Sequence, residues 1–381
     1  MKRKISILES IRQAKVGGGE SHVYELAKHI NRELFELEVL CFSDGPLIKK
    51  IEELGIKVHL IQSKHPFDIR TWLKIIRLYR SKRYDLIHAH GSRAASNLFF
   101  LSWLTSCKFI YTIHGWSFHP AQSAIVRLLR IRCEAFITRC AELNITVSNS
   151  NFLQGQRLFG LKRNKTVYNG IDPRRFDINL IPCSSIRGQF NIPKERTLVG
   201  YLVRITEQKD PITFVEAISI VTKETCDVHF LIVGNGNLQP KIRQLISDKK
   251  LDEYVSFSNF RDDMPEILKS IDIYCLPSLW EGMPIGMIEA MYMGCACVAT
   301  SVDGSKELIQ HGKTGLLIPP RNPYALAMSL LNLHYNQAKR KLLGKRAQQY
   351  AQNRFDINHM TSIIERCYQE ICSHSNQTLA S

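Results

Sequence analysis

IDIYCLPSLWEGMPIGMIEAMYMG, residues 271–294, reads as a strand, a loop and a helix in direct succession. Ile271 to Leu276 is a short aliphatic run closed by Pro277, and Leu279 to Gly286 is rich in Gly, Pro and Met. From Met287 the apolar residues continue as a helix, and CACVAT, residues 295–300, is again a short β-run. A strand, a helix and a second strand make a βαβ unit, because parallel strands need a crossover between them. Two carboxylates, Glu281 and Glu289, flank the loop and first helical turn with no charged residue between them. Carboxylates accept hydrogen bonds from hydroxyls. Equally, Glu289 in a first helical turn complements the helix dipole, and Glu281 reads as an exposed loop acid.

The same alternation runs outward in both directions. KISIL, LEVLCF, VHLI, DLIHAH, KFIYTIH, LNITVS and KTVYN form one series of strand-like runs with helical segments between them. TLVGYLV, HFLIVG, VSFSNF, IDIYCLP, CACVAT and GLLIPP form a second. Between the two lies a stretch rich in turn formers, from Asn169 to Glu195, without clear periodicity. The expected fold is α/β, with two Rossmann-like β/α/β domains facing across a cleft. Ligands of such sheets sit beyond the carboxyl ends of the strands, so residues that follow the strands are the candidates.

Composition narrows the partners. The chain has 381 residues, 44% of them hydrophobic, with 51 Lys+Arg against 35 Asp+Glu. Residues 1–175 hold 29 basic and 14 acidic residues, net +15, which leaves 22 against 21 for the remainder. An anionic partner is therefore expected on the first half. The apolar run in MKRKISILES stops at Glu9, so neither a secretory signal nor an anchor is expected. LFFLSWL, residues 98–104, falls short of the roughly 18–20 residues of a spanning helix. Eleven cysteines show no metal-ligand spacing and read as reduced, buried thiols.

Four further motifs stand where strands end. In SILESIRQAKVGGGESHVYELAKHI, residues 6–30, a glycine loop precedes a helix, so Gly18 and Gly19 either bring amides to a phosphate or make a flexible turn. DLIHAHG and YTIHGWSFH end strands at His90 and His114, each followed by glycine. These are strand-end histidines of either structural or functional kind. No Asp or Glu sits near either at ligand spacing, so no metal is expected. Arg204 and Lys209, in VGYLVRITEQKDP, are solvated surface cations or a diphosphate clamp. Gly234 and Gly236 make a tight GxG turn after another strand, but the third glycine of a dinucleotide fingerprint is missing.

In combination these residues resemble a family 4 retaining glycosyltransferase of the GT-B fold, a member of glycosyl transferases group 1. The resemblance spans nearly the whole chain: the glycine loop, HAHG, YTIHG, VSNS, YNGID, Arg204 with Lys209, VGNG, the two glutamates eight apart, GCACVATSVDG and GKTGLLIPP. It implies an acceptor-binding domain over residues 1–172, a nucleotide-sugar-binding domain over 173–356, and a C-terminal helix, about 357–381, returning to the first. It implies that Glu289 holds ribose hydroxyls, and that Glu281 with Gly282, Met283, Pro284, Ile285 and Gly286 faces the donor sugar. Arg204 and Lys209 would clamp the diphosphate without a metal, Phe260 and Arg261 would lie at the nucleobase, and Gly234 and Gly236 beside the nucleotide. His114 would meet the transferred sugar, Gly18 and Gly19 the phosphates, and His90 and Trp116 the acceptor side. Relatives often carry glycine where this chain has Asp210, which puts the setting of Lys209 in question.

The implied activity is hexosyl transfer, with retention, from a nucleotide sugar to a lipid-linked or saccharide acceptor in bacterial cell-surface polysaccharide, lipopolysaccharide or glycolipid synthesis. No cofactor is implied, because the nucleotide sugar is a substrate. The location implied is cytoplasmic, peripheral on the inner membrane face. DIRTWLKIIRLYRSKRYD and AIVRLLRIRCEAFITR read either as ordinary domain helices or as basic amphipathic segments for an anionic membrane surface. A sugar-nucleotide epimerase of the same fold is the alternative enzyme. A basic nucleic-acid-binding protein accounts for the charge but not the motifs, and no nucleic-acid partner is expected.

Overall fold

The computed structural model describes residues 3–14, 17–182 and 186–377; Cys183 and the last four residues of the expected C-terminal helix lie outside them. The chain divides into two compact units, residues 1–170 with 357–381, and residues 171–356.

The first unit holds a seven-stranded parallel sheet of β1 (Ile5–Ile11), β2 (Phe35–Cys41), β3 (Lys57–Leu60), β4 (Leu86–His90), β5 (Lys108–Ile113), β6 (Leu143–Thr146) and β7 (Asn164–Thr166). Its strand order is β3-β2-β1-β4-β5-β6-β7. The second unit has six strands: β8 (Thr197–Leu202), β9 (Val228–Val233), β10 (Val255–Ser258), β11 (Ile273–Leu276), β12 (Ala296–Thr300) and β13 (Leu316–Ile318). Their order is β10-β9-β8-β11-β12-β13. Each run expected from sequence is a strand. Both sheets reverse direction of growth once, between β1 and β4 and between β8 and β11, and such switch points open crevices at the strands' carboxyl ends.

Burial explains the composition of the strands. Every residue of β4, β8, β9, β11 and β12 is buried, as expected where helices cover both faces of a parallel sheet. In the second unit Tyr201 stacks on Phe214 of the helix Pro211–Glu224 with ring centroids 4.5 Å apart. The helix Ile357–Gln377 carries Ile357, Met360, Ile364 and Tyr368 at three- and four-residue spacing, one apolar stripe. That stripe packs with Ile7, Leu26, Phe35, Ile110 and Ile145 of the first unit.

Two local expectations change, and a third reading that the sequence left open takes one of its two forms. The helix after β11 begins at Ile285, two residues earlier than the composition suggested, so Glu289 lies in its second turn. Ten cysteines are free among the described residues, but Cys133 and Cys226 are exposed rather than buried. In the helix Ile69–Lys82 the apolar face faces inward: Ile75 is fully buried and Trp72 stacks 4.6 Å from Phe100. That apolar face is a domain-packing face, while Lys74, Arg77 and Arg80 point to solvent.

Candidate functional site

The second unit gathers its candidates where β8 and β11 pair at the switch point, Ile273 opposite Val199. Lys209 ends a short 3-10 turn, Glu207–Lys209. Its ammonium forms an ion pair with Glu281, and both groups are largely shielded from water. Glu281 is buried, contrary to an exposed loop acid, at 6% exposure. Arg204 is exposed and has no ion-pair partner among the described residues. Asp210 resolves the question its identity raised. It adopts φ 48°, a left-handed conformation that Asp tolerates, and its carboxylate caps the next helix through Thr213 N at 3.3 Å and Thr213 Oγ1 at 2.6 Å. Aspartate thus does the conformational work of glycine, and Tyr201 Oη donates to the Lys209 carbonyl at 2.9 Å to hold the turn.

The loop between β11 and its helix is pinned at almost every residue. Leu279 N donates to the Gln208 carbonyl at 2.8 Å, Gln208 Nε2 donates to the Trp280 carbonyl at 2.9 Å, and Thr300 Oγ1 donates to the Ser278 carbonyl at 2.5 Å. Glu281 N donates to Asp303 Oδ2 at 3.2 Å. Burial raises the Asp303 carboxyl above its usual range, opposed by that same hydrogen bond. A side chain at Gly304 would place its Cβ 1.8 Å from the Gly282 carbonyl. Gln208, Thr300, Asp303 and Gly304 are therefore structural supports of the loop. Gln208 and Thr300 carry no signal in the sequence, whereas VDG at 302–304 belongs to the motifs that carry the family resemblance. The loop delivers Met283, Pro284, Ile285 and Gly286 to the start of the helix Ile285–Tyr292, whose first amides have no intrahelical partner. Glu289 is half-buried one turn further on.

Gly234 and Gly236 have a first task inside the fold. A Cβ at Gly236 would lie 2.0 Å from the Ile205 carbonyl oxygen, and one at Gly234 would lie 1.9 Å from that of Val203. The glycine turn is what lets the Arg204 loop sit against it. Gly236→Ala should therefore cost about 1–3 kcal/mol, the range for overpacking, read as a lower urea midpoint. An unchanged midpoint would show that the loop yields freely. Phe260 is partly exposed, and its N–H donates to Asn235 Oδ1 at 3.3 Å, joining the two loops. Arg261 is engaged in a fork on Asp263 and reaches Gln189 Oε1 at 3.0 Å.

In the first unit a polar chain runs through the switch point between β1 and β4, where Glu9 pairs with His88 and Ile11 with His90 in the sheet. Tyr368 Oη donates to Glu9 Oε1 at 2.6 Å, Glu9 Oε2 meets His90 Nε2 at 2.5 Å, and His90 Nδ1 meets His114 Nε2 at 3.1 Å. Burial would raise the Glu9 carboxyl, but His88 and His90 outweigh it and hold it far below the usual carboxylate range. Burial, and then neighbouring rings, push His22 down to about 3 and His90 down to about 4, and lower His114 well below its ordinary value. These rings are neutral at physiological pH. His90 is fully buried behind His114, and His114 is the ring of the two that reaches partial exposure, with Gly19 opposite it: a Cβ there would lie 3.5 Å from His114 Cδ2. Gly18 is the exposed first residue of the helix Gly18–His29. Glu9 and His22 escaped the sequence reading because one lies inside a strand and the other on an apolar helix face.

Trp116 departs from the acceptor-side expectation. It is 8% exposed, donates Nε1–H to the Asn151 carbonyl at 3.0 Å and stacks on Phe118 at 5.4 Å. Gly155 makes room for it, since a Cβ there would lie 2.6 Å from Trp116 Cζ2. Trp116 is a packing residue.

Comparison with known proteins places the chain in a family. The family model described as glycosyl transferases group 1 matches residues 196–336, and that described as glycosyltransferase family 4 matches residues 16–175. The chain is 26% identical over 302 residues to the UDP-Gal:alpha-D-GlcNAc-diphosphoundecaprenol alpha-1,3-galactosyltransferase of Escherichia coli, covering 75% of this chain and 76% of that one. It is 24% identical to the capsular polysaccharide biosynthesis glycosyltransferase CapH of Staphylococcus aureus, covering 96% and 98%. Among solved structures, Anabaena Alr3699/HepE in complex with UDP and glucose superposes with a TM-score of 0.86 at 23% identity, over 96% of this chain and 100% of that one. These relatives fit a transferase and not an epimerase.

Proposed function

Because the chain belongs to the family 4 glycosyltransferases of glycosyl transferases group 1, with the GT-B fold, we propose that it moves a hexosyl unit from a UDP-sugar to a lipid diphosphate-linked glycan, with retention and without a metal. The observation that carries this reading is the Lys209–Glu281 ion pair beside the exposed Arg204, at the carboxyl ends of β8 and β11. An ammonium has three donors, so Lys209 can stay on Glu281 and still meet a diphosphate oxygen. The helix N-terminus at Ile285 adds amides suited to an anion or sugar hydroxyl. Glu289 would hold the ribose. The leaving diphosphate takes the acceptor hydroxyl's proton on the face from which it departs, so no protein nucleophile is needed, and stabilising the leaving group is the main task of the site.

The choice of UDP and of a lipid diphosphate acceptor follows the printed activity of the Escherichia coli relative and the ligands of the Anabaena structure. A feature of this chain supports an anionic acceptor on the first unit. Burial, and then the neighbouring Arg12 and Arg130, lower the Arg93 guanidinium from its ordinary value, which marks three clustered cations.

A membrane-facing role for the first unit has support as well. The first turns of the helix Ala124–Cys140 expose Ile125, Leu128 and Leu129 between Arg127, Arg130 and Arg132, and Trp103 and Phe136 lie close by, centroids 5.7 Å apart. The other end of this helix is anchored by buried Glu134, which accepts from Ser92 Oγ at 2.5 Å and Tyr111 Oη at 2.9 Å. No helix among the described residues is long and apolar enough to cross a membrane. This apolar and basic face fits peripheral docking on an anionic inner leaflet.

The test is transfer of radiolabelled sugar from a panel of UDP-sugars to polyprenyl diphosphate-linked N-acetylhexosamine. Transfer with UDP release supports the reading, and sugar-nucleotide turnover without an acceptor product overturns it. The two acids should fail differently. Glu289→Gln should chiefly raise KM for the donor, since ribose is held in ground and transition states alike, whereas Glu281→Gln should chiefly lower kcat. Identical kinetic defects would refute these separate roles.

A further inference from the structure

Three imidazoles of the first unit are arranged in a way that sugar transfer does not require. His22 comes from the helix Gly18–His29, His90 ends β4, and His114 follows β5. One nitrogen from each lies within 4.8 Å of the others. His90 Nδ1 and His114 Nε2 stand 3.1 Å apart. Two nitrogens on one tetrahedral zinc, each at about 2.0–2.1 Å, would be roughly 3.3 Å apart, so this pair is already near ligand spacing.

The rear nitrogens are held as those of metal-bound histidines are. His90 Nε2 faces Glu9 Oε2 at 2.5 Å, and His22 Nδ1 faces Asn169 Oδ1 at 2.9 Å. A carboxylate oxygen and an amide oxygen accept hydrogen bonds, so those ring nitrogens carry the protons. His22 Nε2 therefore presents a free lone pair, and His90 Nδ1 presents one that accepts a hydrogen bond from His114 Nε2–H; a bound ion would take the place of that hydrogen, with His114 then carrying its proton on Nδ1. Such oxygen partners behind ligating histidines fix the tautomer and raise ligand basicity. His22 is 2% exposed, yet its Nε2 has no hydrogen-bond partner among the described residues. Leaving a buried acceptor unsatisfied is unfavourable, and a cation that takes lone pairs from all three rings removes that cost. The neighbouring group of Glu9, His88 and His90 is less suited, because it contains no ring nitrogen without a partner: His88 is engaged with Tyr368 Oη and Thr112 Oγ1 at 2.6 Å each, whereas the proposed group includes the unpartnered His22 Nε2.

We propose that His22 Nε2, His90 Nδ1 and His114 Nε2 form a three-histidine site for a borderline transition metal, Zn2+ or Co2+, with a coordination position left open. Three imidazole nitrogens without thiolate suit these ions and not Mg2+ or Ca2+. The ion is not a cofactor of the transfer. Bound to His114, it occupies the ring that the family resemblance gives to the transferred sugar, so it would inhibit; this consequence rests on that expectation, and metal binding itself does not.

The experiment is equilibrium dialysis of the full chain against Co2+ and Zn2+, with X-ray absorption of the loaded wild-type protein. One ion per chain is expected, in a shell of imidazole nitrogens at about 2.0–2.1 Å. His22→Gln should weaken binding at least tenfold and Glu9→Gln about 10–100-fold, the scale for losing a partner behind a ligand, while the exposed His65→Gln leaves it unchanged. Absence of stoichiometric binding, sulfur in the shell from the exposed Cys133 or Cys226, or unaltered affinity in both variants would overturn the site. The wild-type spectrum decides the matter even if a variant misfolds. Binding as described, without inhibition of transfer, would leave the metal site standing and refute the sugar contact of His114.

Discussion

Replacing Arg204 or Lys209 by alanine lowers kcat by roughly 10²–10³ each, the scale for removing one preorganised donor aimed at charge that develops in the transition state. The charge in question is that of the departing diphosphate, which the proposed mechanism leaves to these two cations. The two variants should differ in one respect. Arg204 is exposed and free of ion pairing among the described residues, so its loss leaves the fold intact. Lys209 is paired with buried Glu281, so Lys209→Ala also strands a shielded carboxylate. Breaking one half of a buried pair destabilises by about 3–5 kcal/mol, and Lys209→Ala should show a lowered unfolding midpoint that Arg204→Ala does not. Near-normal turnover in both variants would remove the clamp from the mechanism.

Substituting Lys74, Arg77 and Arg80 by glutamine reduces partitioning onto anionic vesicles by more than a hundredfold. Each basic residue near such a surface contributes about 1 kcal/mol, and about 3 kcal/mol exceeds two factors of ten. All three point to solvent, while the apolar side of their helix is used in packing. Their contribution is therefore electrostatic and should fade as added salt shortens the Debye length from about 10 Å at 0.1 M to about 3 Å at 1 M. The exposed Ile125, Leu128 and Leu129 act by burial in the interface. Their replacement by glutamine should weaken binding at every salt concentration. Equal binding to neutral and anionic vesicles, or wild-type binding by the basic-to-glutamine variant, would leave the charge as plain solvation.

The sequence made the strands legible because buried parallel strands are short, continuous and β-branched, as in VHFLIV of β9. It made the loop acids and the Arg204/Lys209 pair legible because charged residues directly after such strands are few. It could not reveal that Lys209 and Glu281 pair, since 72 positions separate them. Nor could it reveal Glu9, which looks like an alternation residue in ISILESI yet joins His90 and Tyr368. Two apolar faces were ambiguous for the same reason. TWLKIIRLY packs inward and AIVRLL stays exposed, and periodicity alone gives the existence of a face but not what covers it. Trp116 misled because a large aromatic beside a site histidine suits a sugar as well as a core.

On the proposed mechanism this chain transfers a sugar by charge stabilisation of the leaving diphosphate, on the face from which it leaves. Proton NMR of the product formed from a UDP-α-sugar in the presence of EDTA tests it most directly. Undiminished turnover and an α-configured anomeric centre in the first product formed are expected. A β-configured product, or activity that EDTA abolishes and added Mg2+ or Mn2+ restores, would contradict it.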